Sequence, residues 1–154
     1  MPHHSDVLAE TLELVGERWS FLILRDLWVR GPRRFGQLQR NLLVARNILS
    51  ARLGKLMAGG VVDRRLYQAH PERYQYFLTG TGEELVPALY NLLSWGDRHL
   101  AGDAGPPMLF RHRHHDHFAE PVTVCRLCGG ELTPSSLRAV AGPEEPATDR
   151  PSRR

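Results

Sequence analysis

Three observations predict a mainly helical α+β fold for this 154-residue chain. Apolar residues recur at helical spacing in five segments, and two of these are short and separated only by a tight turn. Two segments of strand character follow, joined by a proline-containing loop, and then a long amphipathic segment. The third observation is charge. Arg18 to Arg73 holds twelve Arg or Lys against three acids (Asp26, Asp63, Glu72), a local +9 in a chain that carries only +3. Helix, turn, helix, hairpin and long helix is the order of a winged helix-turn-helix domain. Positive charge concentrated on such a scaffold marks a surface that meets a polyanion.

The elements follow in order. Val7, Leu8, Leu12 and Val15 form one helical stripe with Glu10, Glu13 and Glu17 opposite, ended near Gly16. Trp19, Leu22, Ile23, Leu27 and Trp28 form a broader one over 19–29, with Ser20 as a candidate cap and Gly31-Pro32 as the stop. Phe35, Leu38 and Leu42 turn inward on the first short helix, 35–42. Leu43-Val44-Ala45 is the turn. Leu49, Leu53, Leu56 and Met57 are the inward face of the second short helix, 47–57, which Gly59-Gly60 stops. In this motif the second helix is the recognition helix. Residues 61–67 and 74–78 read as the two strands of a wing, with 68–73 as its loop. Thr79 or Thr81 caps the last helix, Thr81-x-x-Glu84 fitting a capping box. Leu85, Val86, Leu89, Leu92, Leu93 and Trp95 carry it to about His99, with a kink expected at Pro87.

The organisation expected is a DNA-binding and dimerisation domain at 5–100, a linker at 101–108, a small His/Cys extension at 109–141 and a disordered tail at 142–154. No run approaches the ~18 apolar residues of a membrane span. The polar start, Met1-Pro2-His3-His4-Ser5-Asp6, lacks the apolar region of a signal peptide. A cytoplasmic protein, bound to the nucleoid through DNA, is expected. The two cysteines, Cys125 and Cys128, read in that compartment as metal or redox chemistry.

On a helix starting at Asn47, the side opposite the apolar stripe carries Asn47, Ser50, Ala51, Gly54 and Lys55, with Arg46 just ahead. Asn pairs bidentately with adenine and Arg with guanine in the major groove. Ala51 and Gly54 are small, which lets the helix approach a duplex closely. Arg64, Arg65 and Arg73 of the wing are placed for phosphate or the minor groove. Arg33 and Arg34 most simply touch the backbone.

The chain resembles the HxlR-type family of winged-helix transcription regulators, related to the MarR group. The residues that carry the resemblance are Gly16-Glu17-Arg18-Trp19-x-x-x-Ile23-Leu24-Arg25-Asp26-Leu27, Arg34-Phe35-x-x-Leu38, Leu49-Ser50-x-Arg52-Leu53 and Gly60-Val61-Val62-x-Arg64. Pro71-x-Arg73-Tyr74-x-Tyr76-x-Leu78-Thr79-x-x-Gly82, Leu89 and Trp95-Gly96 complete it. The resemblance implies a bacterial homodimer, built from the first and last helices, on an inverted repeat near a promoter. Many members carry an N-terminal cysteine about where Asp6 stands here, and some use it to sense oxidants. This chain has no cysteine before Cys125, so that switch does not carry over.

A dimer is also expected from the residues themselves. The last helix, about 19 residues and ~28 Å long, is apolar over more surface than a small domain covers. Leu8, Leu12, Leu89, Leu93 and Trp95 are the seam candidates. In the extension, Cys125-Arg126-Leu127-Cys128-Gly129-Gly130 has the form of a zinc knuckle, with 121–124 as the strand leading in. Structural zinc takes four ligands. His115 and His117 complete the set expected here, in H-x-H-x7-C-x2-C spacing. A redox dithiol and a pair of inert thiols stay open beside zinc.

Three function classes compete on these features. A dimeric sequence-specific regulator, with an unidentified small-molecule effector, accounts for most of them. A winged-helix adaptor for another protein, with the zinc knuckle or redox dithiol as a second contact, is the alternative. An enzyme is not expected, because no activating carboxylate and open metal position form a constellation around the cysteines.

Overall fold

The computed structural model describes residues 4–140, with side chains from Val7 onward. The expected disordered tail at 142–154 lies outside the described residues. The chain forms two compact units, one running to Pro121 and one beginning at Val122. The expected extension at 109–141 is thereby shared between them.

The first unit is built from α1 (His4–Val15), α2 (Arg18–Arg30), β1 (Arg33–Arg34), α3 (Phe35–Leu42), α4 (Arg46–Ala58), β2 (Val62–Gln68), β3 (Arg73–Leu78), α5 (Gly80–Glu83) and α6 (Val86–Leu100). A short 3-10 turn at Gly102–Ala104 follows. Ile23, Leu24, Leu38, Leu49, Leu53, Leu56 and Val62 are fully buried and form the centre of its core. They come from one face each of α2, α3 and α4 and from the start of the wing. Asp26 is buried among them. Its carboxylate holds Arg30 at 3.0 Å and accepts a hydrogen bond from the Asn41 amide at 3.2 Å, joining α2 to α3.

The sheet has three antiparallel strands in the order β1-β3-β2. Sequence periodicity shows only the hairpin. β1 is two residues long, Arg33 opposite Tyr76 and Arg34 opposite Gln75, too short to carry a pattern. It sets up α3 directly, as the Arg34 N–H donates to Gln37 Oε1 at 2.9 Å.

The start of α2 and the course of the last helix differ from expectation. The residue preceding α2 is Glu17, and Ser20 lies wholly buried inside the helix instead of capping it. The single last helix is divided. Thr79, not Thr81, caps the one-turn α5 by accepting from the Gly82 N–H at 3.1 Å. Pro87 then falls in the first turn of α6, where its missing N–H has no intrahelical partner to lose and no kink results.

Thr79 also locks the wing to the helix pair. Its hydroxyl donates to the Gly60 carbonyl at 2.6 Å and its N–H to the Val61 carbonyl at 3.2 Å. Val61 in turn donates back to Leu56 of α4 at 3.1 Å. Gly82 is required at this junction, since a Cβ there would lie 2.0 Å from the Val61 carbonyl oxygen.

A short hairpin follows within the same unit. Arg111 bridges Phe118, and Phe110 stacks on Trp28 of α2 (centroids 4.8 Å apart) and meets the edge of Tyr90 of α6 at 4.9 Å. The Tyr90 hydroxyl donates to the Ala119 carbonyl at 2.5 Å. Burial, reinforced by the carboxylates of Asp97 and Glu120, raises the Tyr90 phenol pKa, so the donor stays protonated.

Among the described residues of the second unit, a hairpin closes through an isolated bridge from Val124 to Glu131. The strand expected over 121–124 is reduced to that bridge. No neighbouring strand extends it among the described residues.

Candidate nucleic-acid interface

α4 presents two unlike faces. Leu49, Leu53 and Leu56 are buried, while Arg46, Asn47, Ser50, Ala51, Gly54 and Lys55 are exposed. The division follows from helical spacing, with the exposed set at i, i+3, i+4 and i+7 from Asn47. Arg46 is the first residue of the helix, one place earlier than the sequence pattern put the start. Its guanidinium rests 5.4 Å from the Phe35 ring centroid. A Cβ built on Gly54 meets nothing within 4 Å, so nothing inside the protein requires glycine there.

The turn ahead of α4 places Leu43 in the left-handed conformation (φ 52°, ψ 41°), with its side chain 88% exposed and Val44 buried beside it. This one residue turns the chain from α3 into α4.

The wing cations are held by aromatic rings. Arg64 lies 4.1 Å from the Tyr74 centroid and Arg34 4.2 Å from that of Tyr67. Arg65 lies 5.7 Å from Phe77. The Tyr74 hydroxyl donates to Glu72 at 2.9 Å, and that hydrogen bond raises its phenol pKa. Such contacts orient a guanidinium without neutralising it. Among the described residues the ion pairs are Arg30–Asp26, Arg52–Glu17 and Arg111–Asp116. None of them engages Arg33, Arg34, Arg46, Lys55, Arg64, Arg65 or Arg73.

Strand register separates two residues that the sequence reading treated alike. Arg64 pairs with Tyr76 and Arg65 with Gln75, so their side chains leave opposite faces of the wing. Arg65 lines a cleft with Trp28, Pro32, Phe77 and Glu83. Arg64 shares its face with Tyr74 and Tyr76. Arg34 lies across from Gln75, on the row of Arg65. Arg33 is partly buried and donates to the neighbouring Pro32 carbonyl at 3.1 Å. Arg73, at the start of β3, is exposed.

Arg52 is a basic residue of α4 with a structural task. It pairs with Glu17 at 2.5 Å and is half-buried, tying α4 to the turn between α1 and α2. The aromatic platforms Phe35, Tyr67 and Tyr74 escaped the sequence reading. For Tyr74 the signal is an arginine on the paired strand, Arg64, visible only once register is known; Phe35 and Tyr67 meet Arg46 and Arg34 from elements that do not pair with theirs.

Leu8, Leu12 and Trp95 are exposed large apolar residues, together with Val7, Leu92 and Leu100. Leu89 is a member of the internal core, 6% exposed. Leu93 lines a cavity of about 360 Å³ between α2 and α6, with Phe21, Leu22, Trp28 and Leu92 as apolar walls and Arg25 and Asp97 as its charged groups.

In the second unit Cys125 and Cys128 are free thiols. The N–H groups of Cys128 and Leu127 turn toward the Cys125 sulfur and, with the Cys128 thiol, lower its pKa below the usual cysteine value. No group of three or more His, Cys, Asp or Glu side chains is gathered to hold a metal ion among the described residues. The set expected from spacing, His115, His117, Cys125 and Cys128, is thus not found as an assembled centre.

A recognition helix with an open polar face, set on a helix-turn-helix beside a basic wing, defines a DNA-binding regulator. The chain belongs to the HxlR-like helix-turn-helix family, whose profile matches residues 14–104. It is 44% identical over 136 residues to the uncharacterized HTH-type transcriptional regulator Rv3095 of Mycobacterium tuberculosis, covering 88% of this chain and 85% of that protein. The solved structure of PA1607, described as a candidate transcription factor, superposes with a TM-score of 0.77 at 29% identity, covering 88% of this chain and 94% of that one. The redox regulator HypR in its reduced form aligns at TM-score 0.55 and 27% identity, over 61% of this chain and 95% of that one. The family and these relatives are regulators, which sets an enzyme reading aside. No helix of the described residues is long and apolar enough to cross a membrane.

Proposed function

We propose that two copies of this chain bind an inverted-repeat operator, each α4 in a major groove and each wing on the flanking minor groove or backbone. The observation that supports this best is the exposed face of α4. Asn47 and Ser50 offer base-reading groups, Ala51 and Gly54 keep the helix axis close to the duplex, and Arg46 and Lys55 flank them with no ion-pair partner among the described residues. On the wing, phosphate contact falls to Arg64 and Arg73, because Arg65 turns into the cleft beside Trp28 and Glu83. Arg33 and Arg34 complete the backbone contacts.

The second copy is the occupant proposed for the exposed apolar residues of α1 and α6. Leu8, Leu12 and Trp95, each about half exposed or more, form a set that a soluble monomer rarely leaves open. Leu93 borders that seam, whereas Leu89 supports it from the core. Half-sites then lie about one helical turn apart. The cavity between α2 and α6, about 360 Å³, lies in the size range of small-molecule sites and is the proposed effector pocket. Both cysteines fall outside residues 14–104, so a redox switch like that in HypR's description is not part of this reading. The proposed place of action is the cytoplasm, on nucleoid DNA.

Binding to a panel of operator variants tests the assignment. Asn47→Ala or Arg46→Ala relaxes preference at one base position by about 1–3 kcal/mol, and Arg64→Ala weakens all sequences about equally. Identical profiles for the two kinds of variant would remove α4 from the major groove. Sedimentation of Leu12→Asp tests the seam: a monomer is expected, and an unchanged dimer would place the interface elsewhere.

A further inference from the structure

Leu43 combines two unfavourable features that the fold itself does not require. Its backbone lies in the left-handed region (φ 52°, ψ 41°), where the Cβ of an L-residue crowds the following carbonyl oxygen. Glycine ends a helix in this conformation without that penalty, and asparagine tolerates it. The Leu43 side chain is also 88% exposed, so burial in the core does not offset the strain. Other groups hold the turn. The N–H groups of Leu43 and Val44 both donate to the Gln39 carbonyl, that of Val44 at 3.4 Å. The side chain that enters the core is Val44, 3% exposed. Neither the backbone nor packing within the chain selects a leucine at position 43.

The surroundings point to the partner that does. Leu43 lies between Arg40, in the last turn of α3, and Arg46 and Asn47, the first residues of α4. All three are exposed. Neither arginine takes part in the ion pairs found among the described residues. A second copy meeting this patch across a two-fold axis would set the same arginines against each other. A duplex instead brings phosphates to the cations. In its major groove the apolar feature of the base edges is the C5 methyl group of thymine. Backbone strain collects at ligand-contacting positions of this kind.

We propose that Leu43 is a specificity-determining residue that packs on the C5 methyl group of one thymine in each half-site, beside the base read by Asn47. The inference rests on the placement of α4 in the major groove. The contact takes a leucine and a methyl group out of water together. It adds neither charge nor hydrogen bond, so it adds base discrimination without changing the salt dependence set by phosphate contacts.

The test begins with selection of bound duplexes from a random pool by the full chain, which supplies an operator. Each thymine of that operator is then replaced by deoxyuridine, which removes the methyl group and keeps every hydrogen-bonding group. Fluorescence anisotropy should reveal one position per half-site where the parent protein binds about fourfold more weakly, the effect of one buried methyl group. Leu43→Gly and Leu43→Asn both suit the left-handed turn, and both should bind the thymine and uracil duplexes alike at that position. A parent protein with no uracil-sensitive thymine would overturn the proposal. So would a uracil sensitivity that persists unchanged in both variants. Asn47→Ala separates this failure from failure of the underlying placement. If Asn47→Ala alters base preference and Leu43→Gly does not, Leu43 is not a reader and α4 still is. If neither alters it, the placement of α4 falls and the role of Leu43 falls with it.

Discussion

Gly54 is the position where stability and DNA binding should part company. It lies in the middle of α4, on the exposed face with Asn47, Ser50 and Ala51. A Cβ there meets no atom within 4 Å, so Gly54→Ala introduces no clash. Glycine in a helix interior is about 0.8–1 kcal/mol less favourable than alanine. The variant should therefore gain about 1 kcal/mol, or about 4 °C in Tm for a domain of this size. The free space is the space that a duplex would fill. A methyl group there pushes the helix out of the groove, and loss of one well-formed base contact costs about 1–3 kcal/mol. That corresponds to an operator Kd about 5- to 150-fold weaker. Thermal melts and fluorescence anisotropy at fixed salt, on operator and on scrambled duplex, measure both effects. A Gly54→Ala protein that melts higher and binds operator with unchanged affinity would refute the placement of α4 against DNA.

Three further outcomes follow from single contacts. Gly82→Ala should cost about 3 kcal/mol in urea denaturation, since overpacking against backbone cannot be relieved by a rotamer change; a loss below about 1 kcal/mol would mean that the junction of α5 and the wing is looser than its 2.0 Å approach to Val61 implies. Leu43→Gly removes a left-handed penalty of about 1–2 kcal/mol against a glycine entropy cost of about 0.5–1 kcal/mol. With the Leu43 side chain almost fully exposed, a net gain of about 0.5–1 kcal/mol is expected, and a net loss would show that this side chain packs in the folded state. Phe110→Ala removes two aromatic contacts worth about 0.5–1.5 kcal/mol each. Hydrogen exchange at 111–119 should accelerate while operator affinity stays within about twofold; unchanged protection there would separate the hairpin's stability from the Trp28 and Tyr90 rings.

What the sequence disclosed and what it withheld divide along one physical line. Helices α1 to α4 are legible because a stripe such as Leu49, Leu53, Leu56 is a local pattern, read without knowing the neighbours. The turn at Leu43 and the stop at Gly59-Gly60 are equally local. β1 is not legible, because Arg33-Arg34 becomes a strand only through pairing with Tyr76 and Gln75, some 40 residues on. The division of labour between Arg64 and Arg65 is hidden for the same reason, since a basic pair gives no sign of which member faces the Trp28 cleft. Leu89 and Trp95 share one apolar stripe, yet only Trp95 is left open, because α2 and the rest of the core cover Leu89.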